Sequence, residues 1–102
     1  MISTSPHAQE NIVKYARAGL LGKAELAAMG KLIKSNSEKI AKSNSAAVVV
    51  RLEKPVNNSY REQWEKSDLL VAIIRGQKIV TVMFSRTSQN NKGHYRTNAI
   101  IQ

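Results

Sequence analysis

Hydrophobic positions recur along this chain with two different periods, and the change falls at Ala46. Before it, Ala8, Ile12, Tyr15 and Ala16 share one face at helical spacing, and Leu26, Ala27, Met29 and Ile33 form a second apolar side. After it, "AAVVVRLE" and "LLVAIIRGQKIVTVMFSR" concentrate β-branched residues in short runs that suit strands. The pattern predicts an α+β fold in one domain over residues 1–102, with a helical part over residues 5–42 and a sheet over residues 46–101. Two N-terminal helices should pack on a twisted antiparallel sheet of about four strands.

Local signals set the expected boundaries. Ser5 followed by Pro6 starts the first helix, the hydroxyl capping free N–H groups and the proline standing where a missing N–H costs nothing. Gly19 or Gly22 should end it. A second helix begins near Lys23, with Gly30 allowing close approach of a neighbour. Ser35 and Glu38 have the spacing of a capping box, which predicts a short third turn around Ile40. The tetrapeptide KSNS occurs at 34 and at 43, too short a repeat to mark a duplicated unit.

The first strand is expected over residues 46–53, and "KPVNNSYREQWEKSD" then makes a long polar connection whose Tyr60 and Trp64 can fold back as a lid on the core. Gly76-Gln77 joins two apolar runs as a two-residue type II′ hairpin, pairing Arg75 with Lys78, Ile73 with Val80 and Val71 with Val82. Leu69, Val71, Ile73, Val80, Val82 and Phe84 then share the face expected to meet the helices. Around Thr81 and Ser85 the opposite face is small and polar, and half of it can be open. A last strand is expected from Tyr95 to Ile101.

Composition narrows the chemistry. There is no cysteine, which excludes disulfides, zinc-thiolate sites and a cysteine nucleophile, and fits a reducing, cytoplasmic setting. No apolar run is long enough for a membrane helix, and the N-terminus lacks the features of a signal peptide. No phosphate-binding glycine loop or paired-histidine metal spacing is present, so no cofactor and no metal are expected.

Sixteen Lys and Arg against seven Asp and Glu give a formal charge of +9, which calls for an anionic partner. The basic residues are spread along the chain and do not line one amphipathic helix, so nucleic acid, RNA before DNA, ranks above a membrane. An acidic protein such as an antitoxin is the other anionic partner to weigh.

Residues 85–102 hold no carboxylate. This stretch offers Arg86, Thr87, Gln89, Lys92, Tyr95 and Arg96 for phosphate or base contacts, with Arg17 and Arg51 as further cations. Arg51 can also serve as a strand-edge charge that discourages aggregation. His7 and His94 are the chain's two histidines, the residue type that can give and take a proton as metal-free RNA cleavage by the 2′-hydroxyl requires, and arginines would neutralise the phosphorane. A hydroxyl such as Thr81, Thr87 or Tyr95 can orient the phosphate.

"SPHAQENIVKYARAGLLGKAELAAM" and "DLLVAIIRGQKIVTVMFSR" together resemble a set of small uncharacterised bacterial and phage domains placed among the barnase-like, colicin-nuclease-like and RelE-like ribonucleases. The resemblance covers roughly residues 5–29 and 68–87. It implies two helices on a twisted antiparallel sheet and a metal-independent endoribonuclease, toxin-like or phage-encoded. His7 matches the family's helix histidine, Thr81 its strand threonine, and Arg86 a basic residue beside it. Asn11 stands where the helix arginine is expected, leaving Arg17 or nothing for that role. A chain without it would bind nucleic acid without cutting.

Overall fold

The computed structural model describes residues 2–57, 66–86 and 95–102. Strand β1 (Ser3–Thr4) leads into helix α1 (Pro6–Arg17), followed by α2 (Lys23–Ser35), α3 (Ser37–Ser43), β2 (Ser45–Asn57), β3 (Lys66–Arg75), β4 (Lys78–Ser85) and β5 (Ala99–Ile101). The fold class is α+β, with three helices and a five-stranded sheet among the described residues, in the order β1-β4-β3-β2-β5. The sheet is mixed, not antiparallel throughout, because β1 runs parallel to β4 and β5 parallel to β2. A two-residue strand ahead of α1 has no hydrophobic period to betray it.

Helix α1 starts as its sequence demands. The Ser5 hydroxyl accepts from the Ala8 N–H at 3.1 Å and donates to the Val80 carbonyl at 3.2 Å, so one side chain caps the helix and ties it to β4. Gly19, at φ +74°, follows the helix end. Helix α2 is capped at Gly22, whose N–H donates to Glu25 Oε2 at 3.1 Å, half of a capping box since glycine has no side chain to complete it. Ser35 does not form one, because α2 runs almost directly into α3 at Asn36 and Glu38 pairs instead with Lys42 at 3.1 Å. Ala16 and Ala27 are exposed, and an added Cβ on Gly30 would meet nothing within 4 Å among the described residues, so that glycine serves no close packing with them.

The hairpin pairs β3 with β4 as expected at Arg75–Lys78 and then departs from the expected register. Ile74 pairs with Ile79 but Ile73 pairs with Thr81, leaving Val80 as an additional residue in a β-bulge. One inserted residue reverses the parity of everything beyond it. Leu70, Ala72 and Ile74 of β3 therefore face the helices together with Val82 and Phe84 of β4. Leu69, Val71 and Ile73 lie on the far face with Val80 and Met83. The turn is type I′, since both Gly76 (φ +55°) and Gln77 (φ +61°) are left-handed.

On the helix side the Tyr15 and Phe84 rings meet edge to face at 4.9 Å, within a core that includes Met29, Ile40 and Val48. The far face holds a second apolar cluster with Tyr95 against it. It is not open at Ser85, which is fully buried and accepts a hydrogen bond from the Tyr95 hydroxyl at 3.2 Å. Strand β2 is longer than expected, continuing through Pro55 past a break in register between Arg51 and Val56. Strand β5 is shorter: Arg96 at φ +54° cannot sit in a strand, so pairing begins only at Ala99. Tyr60 and Trp64 lie outside the described residues.

Candidate nucleic-acid interface

Three contacts align α1 with β4. Ser5 reaches the Val80 carbonyl, Asn11 Nδ2 donates to the Val82 carbonyl at 3.3 Å, and Tyr15 packs on Phe84. Helix and strand thus advance together and end together. His7, exposed in the first turn, belongs to the Val80 end. Arg86 lies six residues further along, about 20 Å at the rise of a strand. Thr81 is on the far face of the sheet, paired with Ile73. A general acid or base must come within about 3 Å of the atom it serves. The structure therefore does not bring His7, Thr81 and Arg86 into one site.

Asn11 has a structural task, holding the helix on the β4 backbone. Arg17 does not replace an arginine there: it is exposed in the last turn, on the outer side of α1.

The end where α1 and β4 finish collects more of the candidates. Arg17 follows Tyr15, and Arg86 follows Phe84 and Ser85. In the adjoining row across the sheet, Arg51 pairs with Leu69 and Leu69 with Ser85, which puts Arg51 and Ser85 on the same face about 10 Å apart at ordinary strand spacing. Tyr95 joins this row through its hydroxyl on Ser85. Ser85 was not singled out for binding; the only hint was its polarity at the end of an apolar strand. Arg96 follows on the connector to β5, exposed and left-handed, a strained backbone that the surrounding structure must hold. Thr87, Gln89, Lys92 and His94 lie outside the described residues.

Two concavities accompany these cations. An open cavity of about 610 Å³ runs along the outer face of α1, lined among the described residues by Gln9, Glu10, Val13, Lys14, Arg17 and Ala18. Val13 is 38% exposed there. A smaller one of about 200 Å³ lies between α2 and β2, where Arg51 is accompanied by Glu25 and Glu53. Among the described residues, two cations accompany one acid along α1, and one cation accompanies two acids beside Arg51.

No protein-family model, curated protein or solved structure matches the chain. Among the described residues no helix is long and apolar enough to cross a membrane.

Proposed function

We propose that the protein binds single-stranded RNA in the cytoplasm, using the end of the molecule at which α1 and β4 terminate. The observation that carries this reading is the parallel course of α1 and β4, fixed by Ser5, Asn11 and the Tyr15–Phe84 contact, which delivers Arg17 and Arg86 to one end. Arg51 and Tyr95 flank them across the sheet. Arginine forks hold phosphate oxygens in pairs, and the +9 charge draws the polyanion in.

The test is fluorescence anisotropy of a labelled single-stranded RNA between 50 and 200 mM salt. Affinity should fall steeply with salt, and Arg17→Ala and Arg86→Ala should each flatten the log–log slope by about 0.7, the value of one phosphate contact on a single strand. Arg51→Ala should have the smallest effect, because Glu25 and Glu53 share its cavity. Absence of binding to RNA at low salt would sink the proposal, and tight binding to a small acidic protein instead would assign this surface to an antitoxin-like partner.

Cleavage is the second reading, favoured by the anchoring of Tyr95 on Ser85, since His94 precedes Tyr95 in the chain. On this reading the protein is a metal-independent endoribonuclease of the barnase-, colicin-nuclease- and RelE-like kind, with His94 as its proton-transfer group. Incubation of wild-type and His94→Ala protein with total RNA in EDTA decides it. Cleavage lost by about 100-fold in the variant supports the enzyme, and no cleavage by the wild type leaves binding alone.

A further inference from the structure

The opposite end of the sheet carries a second cationic group that neither the charge pattern nor the family resemblance singles out. Register places Ser3 beside Lys78, Lys78 beside Arg75, and Arg75 beside Ser45, a row across four strands. The four side chains share the far face, because the neighbours Ile2, Ile79, Ile74 and Ala46 all turn toward the helices. Lys78 and Arg75 are directly opposed and both exposed. Like charges so placed destabilise a hairpin, and no ion-pair partner reaches either among the described residues. The nearest acids along these strands are Glu53 and Asp68, seven or more residues away toward the other end.

We infer that this row, Ser3–Lys78–Arg75–Ser45, is a binding site for the phosphate groups of an RNA backbone. An oxyanion between Lys78 and Arg75 would turn their repulsion into shared attraction, with the arginine fork taking two oxygens. The flanking serines fit the same ligand. Ser45 Oγ already accepts the Asn98 N–H at 3.0 Å, so its own proton is directed to another acceptor, and the Ser3 N–H is fixed to the Gln77 carbonyl at 3.1 Å, holding that hydroxyl beside Lys78. An acidic peptide could meet the same charges and hydroxyls, and competition between the two polyanions separates them. The inference rests on the RNA-binding reading above and names a second place where the same polymer is held.

The test compares wild type with Arg75→Gln/Lys78→Gln in anisotropy with a labelled uridine 20-mer, alongside amide chemical shifts of the wild type titrated with inorganic phosphate. Loss of two phosphate contacts should lower the log–log salt slope by about 1.4 and weaken binding at 50 mM salt by more than about tenfold. The thermal midpoint of the variant should not fall, since a repulsive pair has been removed. Phosphate should shift the amides of Ser3, Ser45, Gly76 and Gln77. RNA binding by the wild type with unchanged affinity and slope in the double variant would overturn this site while leaving the proposed function intact. Phosphate-induced shifts in a protein that binds no RNA would keep the site as a phosphate site and remove the proposed function. Poly-glutamate that competes as strongly as RNA, with no response to phosphate, would give the row to an acidic protein and overturn the inference.

Discussion

The β3–β4 turn offers a test whose sign, not only its size, depends on the backbone described above. Gly76 and Gln77 both adopt positive φ, at +55° and +61°. A non-glycine residue in that region costs about 1–2 kcal/mol, and glycine costs about 0.5–1 kcal/mol in unfolded-chain entropy wherever it is introduced. Gln77→Gly should therefore stabilise the fold by about 0.5–1 kcal/mol, raising the thermal midpoint by about 2–8 °C for a chain of this size. Gly76→Val acts in the opposite direction. An added Cβ at Gly76 meets no atom of the described residues within 4 Å, so the penalty is conformational, more than about 1 kcal/mol for a β-branched residue forced to positive φ. The turn also anchors its surroundings, because the Gly76 N–H donates to the Asn44 carbonyl and the Gln77 carbonyl accepts from Ser3, and neither bond needs a side chain. Urea denaturation of both variants, with m-values compared, gives the measurement. In a type II′ turn only Gly76 would be left-handed, and Gln77→Gly would lower stability. A destabilised Gln77→Gly variant therefore refutes the type I′ assignment.

Other substitutions probe the contacts that hold α1 and Tyr95 in place. Ser5→Ala removes both the cap and the tie to Val80 and should cost about 1–2 kcal/mol in chemical denaturation. Tyr95→Phe leaves the buried Ser85 hydroxyl without its donor and should cost about 1–3 kcal/mol by the same assay. Phe84→Ala empties a fully buried position against Tyr15 and should cost about 3–5 kcal/mol, enough to unfold a marginal domain at the growth temperature. His7→Ala, remote from Arg17 and Arg86 and on the helix side of the sheet, across from the face that carries Lys78 and Arg75, should leave RNA affinity unchanged within about twofold in anisotropy, the scale of an exposed substitution away from the contact.

Where the local code is strong, the sequence reads directly. Ser5-Pro6 starts α1, Gly19 closes it, Lys23 opens α2, and Gly76-Gln77 joins two strands. What it hides is parity. The flanking runs "LLVAII" and "IVTVMF" alternate no better in one register than in the other, since nearly every position in them is apolar, so nothing in the text locates the additional residue at Val80. That single bulge puts Leu70, Ala72 and Ile74, and not Leu69, Val71 and Ile73, on the helix side with Val82 and Phe84, while Thr81 keeps the far face expected of it. The parallel edge strands are illegible for another reason: Ser3–Thr4 and Ala99–Ile101 are too short to carry a period, and their places depend on partners distant in the chain. The basic end around Arg86 was legible as composition, whereas the Arg75–Lys78 pair reads in sequence only as the two flanks of a turn.

The arrangement of α1 on β4 also limits how RNA could be cut. Transesterification needs proton transfer at the 2′-hydroxyl and charge neutralisation at the adjacent phosphate, groups separated by one nucleotide at most, so its catalytic side chains must converge within a few ångströms. Here the helix and strand run side by side from Val80 to Phe84, and the first turn of the helix stays at the opposite end of the strand from Arg86. Moving His7 to Arg86 would require α1 to slide several turns along β4. That would break the Ser5 and Asn11 hydrogen bonds and expose Phe84, a loss of several kcal/mol that no single phosphate contact returns. Thr81 is worse placed, since it lies on the far face of the sheet, paired with Ile73. The histidine that matched the ribonuclease pattern is thus held away from the arginine by the same contacts that fold the chain. A catalytic proton carrier, if the RNA is cut, belongs with Arg86, Ser85 and Tyr95, and the chain's other histidine directly precedes Tyr95.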